Sequence, residues 1–190
     1  MESRVKLFGH AVHPMLIVFP LGLLGTAVIF DIVGIIGDGP RWALFSYYLI
    51  AAGVVGGLVS ALFGLVDYLV IPRATRARYI GTLHGIGNVV AVALFAASWL
   101  LRRSTPGAPD ATALIFSFLG LAVAVGSAWL GGELVQRLGI SVDDGAHVNA
   151  PSSLSGRPAG EGRTIGGFRG PERRHRMEPA YAGVERRALK

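Results

Sequence analysis

The sequence contains no cysteine, and this absence removes several kinds of site at once. Without a thiol the chain cannot form disulfides, thiolate metal sites, cysteine-held iron-sulfur clusters or covalently attached c-type haem. Any metal or cofactor must therefore be held by histidine, carboxylate, amide, thioether or phenol groups.

Charged residues are also scarce. They make up 16% of the 190 residues, against about 25% in an ordinary soluble domain. Hydrophobic residues reach 52% and the mean hydropathy is +0.52. This composition predicts a membrane protein.

The sequence has no glycine-rich phosphate loop or nucleophile elbow, so an enzyme is not indicated. It has no basic folded module either, so nucleic-acid binding is not expected.

Four apolar runs approach the roughly 20 residues that a helix needs to cross a bilayer. They cover residues 15–36, 42–71, 79–101 and 111–130, and turn signals rich in glycine, proline or arginine separate them. The predicted fold class is all-α, an antiparallel bundle of four transmembrane helices.

A secretory signal peptide is the alternative for the first run. That run is too long for a typical signal core and lacks a cleavage site, so an uncleaved helix is expected.

The orientation in the membrane follows from basic residues near the helix ends, because cytoplasmic loops retain more of them. One side of the four-span arrangement carries six, Arg4, Lys6, Arg73, Arg76, Arg78 and Arg137, and the other carries three, Arg41, Arg102 and Arg103. Both termini are therefore predicted to be cytoplasmic.

The composition changes abruptly after Leu138 to glycine, proline, serine and arginine. This change predicts a transmembrane domain at 1–138 and a disordered tail at 139–190. The tail contains nine Lys and Arg residues against six acidic ones. It either lies on anionic lipid or serves as a solubilising segment without a specific partner.

Ionisable side chains from all four predicted helices fall in one layer near the cytoplasmic face. The layer contains His13, Asp67, His84 and Glu133, and His10 lies just above it. Asn88 shares a helix face with His84, one turn deeper. Asp31, toward the other face, stands apart. Such residues face the bundle interior by default, because exposure to lipid costs a few kcal/mol each.

Three interpretations of this layer remain open. The side chains satisfy one another structurally, for example as the pairs Asp67 with His84 and Glu133 with His13. Alternatively His13 and His84 are the axial ligands of a b-type haem, with Asn88 beside them and Gly81 and Gly85 leaving room for the macrocycle. The third interpretation is a divalent-metal site that draws on the residues His10, His13, Asp67, His84 and Glu133. Proton or solute transport is less favoured, since no broken helix or inverted repeat is apparent.

Four stretches of the chain resemble a known family, the bacterial membrane proteins of domain of unknown function 2231. They are HAVHPMLIVFPLGLL, GLVDYLVIP, HGIGN and GGELVQRLGISV, and the resemblance spans about residues 10–140. It implies a four-helix domain without an established activity, in a bacterial inner membrane. Some members of the family are joined to Rieske or c-type cytochrome modules, which implies a redox setting. The family's recurring polar positions correspond here to His13, Asp67, His84, Asn88 and Glu133.

The functional expectation is therefore a small redox or haem-binding membrane subunit, and the alternative is a structural or partner-binding membrane protein. The expected surroundings are the lipid bilayer and a redox partner protein. Stripes of small residues on the second span, among them Gly53, Gly57 and Gly64, also allow a second copy of the chain as partner.

Overall fold

The computed structural model describes residues 1–37 and 39–161. Within these residues, four helical segments are long and apolar enough to cross a membrane. They are Val12–Ile36, Gly39–Leu69, Arg76–Leu101 and Ala111–Arg137. The predicted class, an all-α bundle of four antiparallel membrane helices, is confirmed, and the helices begin or end a few residues away from the predicted limits.

The first span consists of two helices, α1 (Val12–Leu16) and α2 (Val18–Ile36). They are separated at Ile17 because Pro20 offers no N–H to the carbonyl of Leu16, and its ring crowds that carbonyl. Two short antiparallel strands, β1 (Lys6–Leu7) and β2 (His10–Ala11), precede α1. His13 thus lies in a separate first turn at the start of the span.

The other spans are single long helices. They are α3 (Gly39–Leu69), α4 (Arg76–Leu101) and α5 (Ala111–Gly132), which continues as a π-helical turn at Glu133–Arg137. Thr75 caps α4, since its hydroxyl accepts a hydrogen bond from the Arg78 amide, and Asp110 caps α5 in the same way through Ala113. A short 3-10 helix follows at Ser153–Ser155.

The helices pack as two hairpins. The first span packs along α3 and α4 packs along α5, while contacts of α3 with α4 and of α2 with α5 close the bundle. The first span and α4 are therefore diagonal to each other and run in the same direction. We call the end where both begin the histidine end, and the opposite end the Asp31 end.

Two apolar clusters lie inside the bundle. One contains Leu24, Ala27, Val28, Ile50 and Phe95, and the other, at the histidine end, contains Ile71, Ile80, Leu134 and Ile140. Large apolar side chains on the outward faces remain exposed, among them those of Ile29, Val55, Val89 and Ile115. In a membrane protein these faces contact lipid.

The segment after the last span folds back onto the N-terminus in its first part. Ile140 belongs to the apolar cluster at the histidine end, and the Met1 amino group donates a hydrogen bond to the Gly139 carbonyl. Residues 162–190, the larger part of the predicted disordered tail, lie outside the described residues.

Candidate functional site

The structure brings together the two histidines that the sequence places at similar depth. His13 of α1 and His84 of α4 lie on diagonal spans, and their imidazole centroids are 6.5 Å apart with ring planes at 82°. The rings thus meet across the bundle interior at the histidine end.

Each imidazole is held by the neighbouring helix of its own hairpin. His13 Nδ1 lies 3.0 Å from the Ser60 carbonyl oxygen and 3.3 Å from the Ser60 hydroxyl. His84 Nδ1 lies 2.8 Å from the Ser127 carbonyl oxygen and 3.2 Å from the Ser127 hydroxyl. A carbonyl oxygen can only accept, so Nδ1 carries a proton in both rings, and in the neutral form of the imidazole Nε2 keeps a lone pair.

Two glycines provide the space for these rings. A Cβ atom at Gly64 would lie 2.8 Å from Cε1 of His13, and one at Gly131 would lie 3.0 Å from Cε1 of His84. Both separations are shorter than ordinary van der Waals contact between carbon atoms, about 3.5–4.0 Å. A side chain at either position would therefore displace the imidazole.

Asn88 completes the surroundings of His84. Its Nδ2 donates to Nε2 of His84 at 3.0 Å, and its Oδ1 lies 2.8 Å from the Ser127 hydroxyl. The predicted proximity of Asn88 and His84 on one helix face is thus observed. The lone pair of His84 Nε2 is occupied by this hydrogen bond.

The two carboxylates of the predicted layer have other partners than the histidines. Both oxygens of Asp67 lie 2.8 Å from the Ser3 hydroxyl, and Oδ1 accepts from the Arg4 amide at 2.9 Å. Glu133 forms an ion pair with Arg76 at 3.0 Å. The predicted pairs of Asp67 with His84 and of Glu133 with His13 are therefore wrong, because backbone and loop groups at the helix ends reach these carboxylates instead.

The five residues proposed as a metal set are not gathered into one site. His10 is exposed on β2, and its Nδ1 lies 3.2 Å from the Phe8 carbonyl oxygen. Within residues 1–37 and 39–161, no group of three or more His, Cys, Asp or Glu side chains is arranged to hold a metal ion. Only His13 and His84 of the set face each other.

The N-terminal segment crosses the histidine end and is tied there by charged groups outside the spans. Lys6 contacts Asp143 at 2.6 Å and Glu2 at 2.7 Å. These hydrogen bonds raise the pKa of Lys6, and the bond from Lys6 lowers the pKa of Glu2. The segment therefore covers the histidine end as a strap of residues 1–11.

At the other end of the bundle lies a buried ion pair that sequence reasoning missed. Arg102 Nη1 and Nη2 contact the two carboxylate oxygens of Asp31 at 2.6 and 2.8 Å, and both side chains are fully buried. The remaining donors of Arg102 reach the hydroxyls of three serines, Ser46, Ser98 and Ser117. The position of Arg102 in the sequence could have indicated this pair. Arg102 follows His84 by as many residues as Asp31 follows His13, so the two residues lie at the same depth in the bundle.

The fold and the site define a polytopic α-helical membrane protein with a histidine pair at one end of its bundle and a buried ion pair at the other. The chain belongs to the DUF2231 family of predicted membrane proteins, whose family model matches residues 9–144. No curated protein and no solved structure matches the chain.

Proposed function

We propose that the protein is a small redox subunit of the membrane that binds a b-type haem through His13 and His84. One observation carries the proposal. Two imidazoles from diagonal spans face each other at 6.5 Å, and each has its Nδ1 proton directed to a backbone carbonyl. Metal-binding histidines characteristically donate their second ring N–H in this way, which fixes the tautomer and the ring orientation.

His13 and His84 would be the residues that hold the metal of such a group. Their ring centroids are 6.5 Å apart, and each imidazole would need a bond of about 2 Å to the metal. A free metal ion would find fewer than three protein ligands of the usual kinds among the described residues. A haem needs only two, because the porphyrin supplies the other four, so the donor set favours haem over a free divalent ion.

The residues of the chain have separate tasks in such a site. The Ser60 and Ser127 carbonyls hold the Nδ1 protons, and Gly64 and Gly131 leave space beside the rings. Asn88 must turn away from His84 Nε2 for that nitrogen to bind a metal. A bound haem would supply one-electron redox chemistry at this site.

The alternative function is structural, and the hydrogen bond from Asn88 to His84 supports it, because it satisfies the second nitrogen without any ligand. In that case His13 joins α1 to α3 and His84 joins α4 to α5. Each contact would then stabilise the bundle by about 1 kcal/mol.

A reduced-minus-oxidised absorption spectrum of the purified protein, produced with a haem supply, separates these functions. We expect a sharp α-band that is lost in His13→Ala and in His84→Ala, while both variants remain folded. His10→Ala is the matched control and should keep the band, since His10 is exposed and outside the pair. A flat spectrum together with lower thermal stability of both variants would favour the structural function. A flat spectrum with stoichiometric metal in the same sample would point to a metal site.

We also propose a bacterial inner membrane as the location, with both termini in the cytoplasm. The structure removes Arg102 from the count of exposed basic residues because its side chain is buried. The exposed basic residues near the helix ends then number five at the histidine end, where Arg78 is half-buried, and two, Arg41 and Arg103, at the Asp31 end. This stronger asymmetry supports a cytoplasmic histidine end.

A further inference from the structure

The two helical hairpins resemble each other in sequence. Residues at a constant spacing along the chain are of the same type or are buried in both hairpins. Along the first span and along α4 with its C-cap residue Arg102, His13 and His84 are 71 positions apart, and so are Leu24 and Phe95, Ala27 and Ser98, and Asp31 and Arg102. Leu24, Ala27 and Asp31 are buried, and so are their three counterparts.

The second helices match in the same way at a spacing of 67 positions. The pattern G-x6-S-A-x2-G occurs at 53–64 in α3 and again at 120–131 in α5. Ser46 and Ala113 are both buried at this spacing, as are Ile50 and Ser117, and Asp67 and Leu134. The residue types often differ, but the buried face is repeated.

The contacts are repeated as well as the positions. A Cβ atom at Gly53 would meet the Leu24 side chain at 2.6 Å, and one at Gly120 would meet the Phe95 side chain at 2.9 Å. His13 contacts Ser60 and Gly64, and His84 contacts their counterparts Ser127 and Gly131. These contacts between the two helices are therefore repeated in each hairpin.

Corresponding residues of the two hairpins also meet each other. His13 faces its counterpart His84 at one end, and Asp31 binds its counterpart Arg102 at the other. Residues on a twofold axis contact their own symmetry mates. Both hairpins run in the same direction, so this axis lies along the bundle and passes through both layers, about 27 Å apart at 1.5 Å per helical residue.

We infer that the membrane domain consists of two copies of one helical hairpin related by a twofold pseudo-symmetry axis, and that each copy supplies an equivalent half of the His13–His84 site. A half-site contains one histidine, the carbonyl and hydroxyl of one serine, and one glycine. Ser60, Gly64, Ser127 and Gly131 are thus positioning residues for the two imidazoles. This inference goes beyond the proposed function and does not require haem.

Corresponding positions in the two halves can carry different residues, because both halves belong to one chain. Identical charges that meet on the axis would repel each other, and Asp in one half with Arg in the other gives a complementary pair instead. Asn88 belongs to one half only, since its counterpart is Ile17, so one imidazole has an extra partner.

The test uses glycine-to-alanine substitutions and histidine nitrogen chemical shifts. In wild-type protein with 15N-labelled histidine in detergent, we expect His13 and His84 both to carry a proton on Nδ1. Gly64→Ala should shift the ring signals of His13, and Gly131→Ala should shift those of His84 in the same direction. The controls are Gly126→Ala and Gly132→Ala on α5, the helix of Gly131, where a Cβ atom meets nothing within 4 Å. They should leave both rings unchanged.

The outcomes distinguish this inference from the haem proposal. Different tautomers in the wild type, or a shift in one half-site with none in the other, would overturn the equivalence of the half-sites. The wild-type tautomers test the equivalence of the half-sites even if a glycine variant fails to fold. If haem binds, both clash variants should also lower its occupancy by similar factors. Absence of haem would refute the proposed function and leave the tautomer and shift results as they stand.

Discussion

Asp31 and Arg102 are charged side chains that lie fully buried inside the bundle. A buried ion pair gains little over well-packed apolar residues, because both charges lose their hydration. Removing one partner is much more costly, since it leaves an uncompensated charge inside the bundle. The three serine hydroxyls around Arg102 satisfy its remaining N–H groups, and the guanidinium is held in one orientation.

A charge exchange tests this pair and the symmetry around it. Asp31→Arg and Arg102→Asp each place two like charges together in the core, and each should destabilise the bundle by about 3–5 kcal/mol. The double variant Asp31→Arg with Arg102→Asp restores opposite charges at symmetry-related positions and should recover part of the loss. Thermal unfolding midpoints of the purified variants measure the effect.

Arg103→Asp is the control for this experiment, because it makes the same charge change at the next residue, which is exposed. It should change the midpoint little. If the double variant is as unstable as the single ones, the two positions are not interchangeable and the pair depends on its present serine partners.

At the scale of elements, the N-terminal strap is attached to the bundle through α3. Asp67 is buried, and it accepts hydrogen bonds from the Ser3 hydroxyl and the Arg4 amide. The ties of Lys6 to Glu2 and Asp143 are more exposed, and exposed ion pairs contribute little. The strap is therefore held to α3 mainly by the Asp67 carboxylate, and the Met1 amino group ties its first residue to Gly139.

Asp67→Ala should release the strap without unfolding the bundle. The variant loses the acceptor for two strap donors, at a cost of about 1–3 kcal/mol. Hydrogen exchange should accordingly accelerate at the Arg4 amide and in β1 and β2, while amides in the middle of α3 and α4 keep their protection. Asp143→Asn, which removes only the partly exposed ion pair with Lys6, is the control and should leave the strap protected. Unchanged exchange at Arg4 in Asp67→Ala would contradict this role for Asp67.

At the scale of the whole molecule, the protein is an apolar bundle whose two ends differ. The histidine end has most of the exposed basic residues and the strap, whereas the Asp31 end has few exposed charges. The absence of cysteine allows the orientation to be measured with single introduced thiols.

Ser104→Cys and Val148→Cys place one thiol at each end, and both positions are exposed. In right-side-out vesicles of the cell membrane, we expect a membrane-impermeant maleimide to label Ser104→Cys at once, and Val148→Cys only after permeabilisation. The reason is that basic residues are retained on the cytoplasmic side. Detergent-solubilised samples, in which both thiols should react, are the control. The reverse labelling pattern would invert the proposed orientation.

The fold was predictable because it depends on local properties of the sequence. Long apolar runs, turn signals and the low charge content define four spans without reference to contacts between them. The depth of His13 and His84 follows from the same counting, since each lies near the start of a span, and the two rings do meet.

The pairing of the polar groups depends instead on where helix ends and connecting segments come together. Asp67 and Glu133 were assigned to the histidines because they share a depth with them. Depth does not give the direction of a side chain around the helix axis, nor does it reveal that the strap supplies Ser3 and Arg4 to Asp67.

The sequence by itself determined the membrane class, the four spans and the layer in which the histidines lie, because hydropathy and helical rise are properties of consecutive residues. The tertiary structure decided which groups are partners: the Arg102 guanidinium for Asp31, the Ser60 and Ser127 carbonyls for the imidazoles, and the symmetry that relates them. These contacts join residues more than 40 positions apart, and only the packing of the two hairpins brings them within hydrogen-bonding distance.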